Sequence, residues 1–349
     1  MFESEDSSKR TELEQLGEFG LIEAIKSKVK LKLDSSIKGI GDDAAVLDYG
    51  GEKVVISTDM LVEGVHFDLS YVPLKHLGYK AVVVNLSDIL AMNAIPQHIT
   101  VSIALSNRFS AEAVEELYFG IKLACDTYNV DLIGGDTTSS VAGLVISVTA
   151  TGCAKEENIV YRDTAQESNI LVTSGDLGGA YMGLQMLERE KEIFEESKNV
   201  QPSLEGMEYI LERQLKPEAR KDVIVEFERL KIKPTAMIDV SDGLASEILH
   251  ICTSSNVGVD LYEDKIPIDQ QTFDVAVENH LDPTMCALNG GEDYELLFAL
   301  DLKDYDKIKG HPLFKVIGHL TDVGQGHNLI AKNGTRHDIE AQGWNSFKE

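Results

Sequence analysis

Basic residues are scarce in this chain. Lysine and arginine together number 32 against 59 aspartates and glutamates, a formal net charge of -27. A surface of that sign repels nucleic acid and anionic lipid, which argues against a DNA- or RNA-binding role. Anionic substrates would need metal ions or local basic groups to enter. Cysteine is rare too: Cys125, Cys153, Cys252 and Cys286 form no C-x-x-C pair and show no metal-ligand spacing. Each lies in an apolar neighbourhood and reads as a small buried hydrophobe in a reducing cytosol. No apolar run approaches the roughly 20 residues of a membrane span. The opening MFESEDSSKR is acidic and lacks the apolar core of a signal peptide. The expected location is therefore cytoplasmic, with no membrane partner.

Several signatures are missing as well. There is no G-x-x-x-x-G-K-[ST] loop and no H-R-D or D-F-G set. No G-x-S-x-G elbow occurs. Gly39-x-Gly41-x-x-Ala44 has the outline of a dinucleotide fingerprint, but Asp42 and Asp43 occupy the turn that would face phosphate, and no strand precedes it.

At 349 residues with 43% hydrophobic content the chain is globular, and two domains are expected. Residues 1–154 and 155–349 are the expected units, since the polar stretch between Lys155 and Ser168 lacks periodicity. The most informative segment runs from Gly39 to Phe67. Paired carboxylates, Asp42 and Asp43, follow a glycine turn; a β-branched run, Val54 to Ile56, then delivers Ser57, Thr58 and Asp59 at its end. Carboxylates at the ends of apolar strands are costly through desolvation and mutual repulsion. A hard divalent cation with oxygen ligands is the natural compensation.

The motif of strand, small residues and carboxylate returns at Asp136 and Asp239, with Asp42 and Asp88 in related settings. Pro73 is expected to open a helix to about Ala94, on which Asn85 and Asp88 share a face. Asp88 on that helix reads either as part of a solvated face or as a site residue. Ile99–Leu105 and Leu144–Thr151 read as strands, and Ser110 as the cap of a helix to about Tyr128. Val130–Ile133 reads as a short strand ending at Gly134-Gly135-Asp136. In the second half, Ile170–Thr173 is a strand before a glycine turn, and another strand ends at Asp239 with Ser241 and Asp242 as candidate caps. Clustered acids of this kind repel if empty. Several magnesium ions bridging a polyphosphate fit them better than one metal cage.

Six blocks, GIGDDAAV, STDMLVEGVHF, GYKAVVVNLSD, GGDTT, DVSDGL and NGGEDYELLF, together resemble the bacterial thiamine-monophosphate kinases. These belong to the ATP-binding superfamily of aminoimidazole ribonucleotide synthetase and selenophosphate synthetase. The resemblance runs from about Leu16 to the C-terminal GWNSF. It implies transfer of the ATP γ-phosphoryl group to thiamine monophosphate, directly and without a phosphoenzyme. It implies a two-domain α/β fold whose N-terminal domain forms a β-barrel across a homodimer, the second domain covering nucleotide and substrate. By motif, Asp42, Ser57, Thr58, Asp59, Asp88, Asp136, Asp239 and Asp242 would hold magnesium. Tyr118, Gly135, Asp136, Arg162 and Ser241 would contact ATP; His66, Glu292 and Trp344 would line the acceptor site. Taken alone, His66 also reads as an ordinary core or surface histidine, Tyr118 as a core residue, and Trp344, the single tryptophan, as a core anchor. A related enzyme making another phosphorylated intermediate, or a passive acidic metal binder, remains the alternative.

Overall fold

The computed structural model describes residues 13–197 and 201–342. Two sheets carry the fold, one on either side of residues 155–169. In the first half, α1 (Leu13–Lys26) leads into β1 (Ser36–Lys38), β2 (Ala45–Leu47) and β3 (Lys53–Val62). Helix α2 (Leu74–Ala91), β4 (Ile95–Leu105), α3 (Ala111–Tyr128), β5 (Asp131–Ser139) and β6 (Leu144–Ala154) follow. The strand order is β1-β2-β3-β6-β4-β5, antiparallel except for the parallel pair β4/β5.

Period-two burial places this sheet. Along β6, Leu144, Ile146, Val148 and Ala150 are buried against α2, and the intervening Ser147, Thr149 and Thr151 are only half-buried. Helix α2 is apolar on almost every side and buried over most of its length, which is why its polar residues stand out. It packs tightly on α3 through two glycines. A Cβ at Gly78 would lie 2.0 Å from the Leu117 carbonyl oxygen, and one at Gly120 would lie 1.9 Å from that of Lys75. Ser110 caps α3 as expected, its Oγ accepting from the Ala113 N–H at 3.3 Å.

The second half contributes β7 (Ile170–Ser174), α4 (Gly179–Glu196), α5 (Glu208–Leu215), α6 (Lys221–Leu230), β8 (Ala236–Asp239) and α7 (Leu244–Ser255). Then come β9 (Gly258–Tyr262), α8 (Gln270–Glu278), α9 (Pro283–Asn289), β10 (Leu296–Leu300), β11 (Phe314–Thr321), β12 (His327–Ile330) and β13 (Arg336–Asp338). The order is β13-β12-β9-β11-β7-β10-β8. Strands β7 and β10 are buried throughout and read as continuous apolar runs. One face of this sheet packs Val172, Phe298 and Met237 into the same apolar core as α2 and α6. The two halves thus share a core.

Three expectations about local structure change. Strand β3 does not end at Asp59 but continues to Val62, because β6 supplies ladder partners throughout, Asp59 facing Val148. Strand β5 runs through Gly134-Gly135-Asp136 to Ser139, paired to β4 on one side and exposed along its whole length. Helix α7 is preceded by Gly243 with φ of 115°, and neither Ser241 nor Asp242 caps it with a side chain.

Candidate active site

Asp43 follows the glycine turn, Asp88 projects from α2, and Asp239 ends β8. One carboxylate oxygen from each lies within 4.8 Å of the others. Ser57 Oγ donates to Asp88 Oδ2 at 2.5 Å, and Ser87 Oγ donates to Asp239 Oδ2 at 2.6 Å. Arg162 Nη2 donates to Asp43 Oδ1 at 2.5 Å, while the buried Asp43 Oδ2 has no hydrogen-bond partner among the described residues. Desolvation pushes Asp43 up to about 8, against the pull of Arg162 and with the neighbouring carboxylates adding to the rise. Asp239 rises to about 6 through burial, opposed by the Ser87 hydroxyl. Asp88 is raised well above the usual carboxylate range by burial, then by Asp59 and Asp239. Three desolvated carboxylates and an orphaned oxygen fit a hard divalent cation, whose charge offsets both penalties.

The cluster opens into a cleft of about 1150 Å³. Asp59, Asp88, Asp239, Ser241 and Asp242 line it together with His66 and Glu292. Asp59 is exposed to the cleft yet hemmed in by protein, and desolvation raises its carboxyl, opposed by His66. Its backbone N–H donates to Asn85 Oδ1 at 2.9 Å, which pins β3 to α2. Asp242 is pushed up to about 6 by burial, then by Glu18 and Asp239. The Val62 N–H donates to His66 Nδ1 at 3.0 Å, so the neutral ring carries its proton on Nε2.

Ser57 and Thr58 stand on the same strand, facing in opposite directions: Ser57 bonds Asp88, and Thr58 accepts from Thr149 Oγ1 at 3.0 Å on the face away from α2. The Asp42 side chain is buried one residue from the cluster. It pairs with Lys38 at 3.1 Å and accepts from the Arg162 N–H at 3.3 Å. Tyr118 is half-buried against the core on α3 and does not line the cleft. Gly135 and Asp136 lie on the exposed strand β5, three strand spacings from β3, or about 14 Å. Asp136 pairs with Ser102, and Ser102 with Ser147 and thence Met60, so it faces opposite to Asp59. Trp344 lies outside the described residues.

Some contributors were not singled out by sequence. Asp43, rather than Asp42, enters the three-carboxylate cluster; adjacency in the GDD turn did not distinguish them. Glu247 on α7 is buried and accepts from the Ser241 N–H at 3.0 Å and the Asp242 N–H at 2.8 Å. It fixes the loop of Ser241 and Asp242, the two residues expected to cap α7. Lys80, also on α2, meets Glu292 at 2.7 Å.

The family model for AIR synthase related protein, N-terminal domain, matches residues 41–154. Across nearly the whole chain, thiamine-monophosphate kinase of Aquifex aeolicus is 33% identical, covering 96% of this chain and 99% of that protein. The kinase of Bacillus subtilis is 32% identical, covering 95% and 100%. A solved structure of AaThiL complexed with AMPPCP and TMP superposes with a TM-score of 0.83 at 32% identity, covering 97% of this chain and 99% of that one. A HypE–HypF complex shares the fold, with a TM-score of 0.66 at 18% identity.

Proposed function

The chain belongs to the thiamine-monophosphate kinases, which makes it a phosphotransferase, and we propose that it phosphorylates thiamine monophosphate to thiamine diphosphate by direct in-line transfer from ATP. The observation that carries this reading is the desolvated Asp43–Asp88–Asp239 cluster opening into a cleft that also holds His66 and Glu292. Bound magnesium ions supply neutralisation of charge on the transferring phosphoryl group. Asp43, Asp88 and Asp239 would hold them, with Asp42, Ser57, Thr58, Asp59 and Asp242 close by. Arg162 and Ser241 contact ATP in this reading, and His66, Glu292 and Trp344 receive the acceptor.

The acceptor is a phosphate monoester, whose oxygens are already ionised near neutrality. No strong base is needed, and the protein's part is alignment and charge compensation. Glu247 and Asn85 serve that end by fixing the loop of Asp242 and the backbone of Asp59. No described helix is long and apolar enough to cross a membrane; the reading places the enzyme in the cytoplasm.

We also read the enzyme as a homodimer closed by the first sheets of two copies. Two observations favour it. Strand β5 is exposed along its length with Ile133 64% exposed, and the sheet face opposite α2 carries exposed Thr58 and Met60. Asp136 and Gly135 are too far from Asp59 within one chain to share its ion, so a second copy would deliver them. The test is incubation with ATP, magnesium and thiamine monophosphate, with thiamine and aminoimidazole precursors as controls. Thiamine diphosphate formation only with the monophosphate is expected. ATP consumption with another acceptor alone would overturn the reading, and magnesium binding without ATP binding would point to a passive metal binder.

A further inference from the structure

We propose that Lys80 is a positioning residue of the acceptor site, holding the Glu292 carboxylate in the orientation that receives the substrate; this rests on the reading that Glu292 serves the acceptor. Lys80 lies on α2 with its side chain only 7% exposed. Burying an ammonium is costly unless it is paired and hydrogen-bonded. Here Lys80 Nζ meets Glu292 Oε1 at 2.7 Å and donates to the Gln214 carbonyl oxygen at 3.2 Å. Gln214, on α5, donates its Nε2 to Glu292 Oε2 at 2.8 Å. Each carboxylate oxygen is thus gripped by a different element, one from each half of the chain. A carboxylate has about four lone-pair sites. Among the described residues two are used, and the others are open to a donor or cationic ring in the cleft.

The backbone points the same way. Glu292 has φ of 68°, a left-handed conformation that a residue with a side chain adopts rarely. Its N–H donates to the Ser241 carbonyl at 2.7 Å, tying the turn to the loop after β8. A side chain leaving such a turn needs its far end fixed if it is to point one way. Charge explains why a lysine does this. Among the described cleft-lining residues the only ammonium groups are Lys80 and Lys191, against many carboxylates. Lys191 is committed to Asp68 at 2.7 Å. Without Lys80, Glu292 would keep the neutral Gln214 amide but lose its cationic partner among the described residues.

The experiment compares Lys80→Met, Glu292→Gln and the double variant, with KM for thiamine monophosphate and for ATP measured separately. Glu292→Gln and Lys80→Met should each raise KM for thiamine monophosphate about tenfold, leaving KM for ATP unchanged. The double variant should be no worse than Glu292→Gln alone, because both changes remove one unit. If Glu292→Gln raises KM and Lys80→Met does not, the positioning role is wrong and the acceptor reading stands. If Glu292→Gln has no effect on that KM, the acceptor reading itself is wrong. Additive losses of about a hundredfold in the double variant would show Lys80 acting independently, which also overturns the proposal. Should Lys80→Met fail to fold, Lys80→Arg keeps the charge but moves it. The same loss confined to thiamine monophosphate is expected there, and an unchanged KM overturns the role.

Discussion

The Ser87 hydroxyl on α2 donates to Asp239 at the end of β8 across 2.6 Å, joining a helix of the first half to a strand of the second inside the carboxylate cluster. The centre therefore forms only when the two halves of the chain are docked. Neither half contains it alone.

Ion binding should report on that docking. Magnesium bound to the native state and not to the unfolded chain raises Tm, by the equivalent of about 2.7 kcal/mol at a hundredfold excess over Kd. Asp88→Asn should remove most of this increment, seen by differential scanning calorimetry with and without magnesium. An undiminished increment would place the ion elsewhere.

Asp59→Asn should nearly abolish phosphoryl transfer and leave the circular dichroism spectrum intact. A lost ligand to a bridging ion costs several kcal/mol in the transition state. Turnover above about a tenth of wild type at saturating magnesium would rule Asp59 out as a ligand.

The dimer makes a sharper demand. Sedimentation at micromolar concentration should give twice the chain mass, and Ile133→Asp on β5 should give monomers. If Asp136 of one copy completes the site of the other, Asp59→Asn and Asp136→Asn chains are each inactive alone. Refolded together in equal amounts they should recover roughly a quarter of wild-type activity, since half the dimers are mixed and each has one intact site. No recovery would count against a shared site.

His250 on α7 stacks edge-on with Phe19 of α1 at 4.3 Å. Burial, then Arg162, lowers its pKa to about 4. The folded state favours neutral imidazole, so this contribution is present above the unfolded value of about 6.5 and is lost as pH falls from there towards 4. The loss is on the order of 3 kcal/mol. Urea unfolding of wild type and His250→Gln at several pH values should show a stability difference that drifts in favour of the variant across that window. A pH-independent difference would mean that His250 is already solvated.

Trp344 offers a direct optical check. As the single tryptophan, its fluorescence should be quenched by thiamine monophosphate and not by ATP. Trp344→Ala should raise KM for thiamine monophosphate about tenfold. Quenching by ATP alone would remove Trp344 from the acceptor site.

The sequence made the carboxylates legible because aspartates in apolar surroundings are conspicuous. Asp59, Asp88 and Asp239 stand in such surroundings and converge on one cleft. What escaped was set by tertiary contact. Asp42 and Asp43 are identical in kind and adjacent, and only the packing of Arg162 and α2 selects Asp43 for the cluster. Lys80 sits among valines and alanines of α2 and declares itself only when Glu292 arrives from 212 positions downstream, the difference between the two residue numbers. Glu247 is an acid in the first turn of α7, where acids are common, and nothing local marks it. The extent of β5 was misjudged because glycine pairs usually end strands, whereas β4 carries this one past them.

Gly78 and Gly120 act as a spacer of zero thickness between α2 and α3. Asp88 lies ten residues beyond Gly78 on the same rigid rod, about 15 Å along its axis. An added methyl at Gly78, 2.0 Å from the Leu117 carbonyl, would force the helices apart at that point. The rod would pivot, and the displacement would be read out at its other end as a change in the separation of Asp88 from Asp43 and Asp239. A close approach of two helix backbones thereby sets the spacing of the three carboxylates.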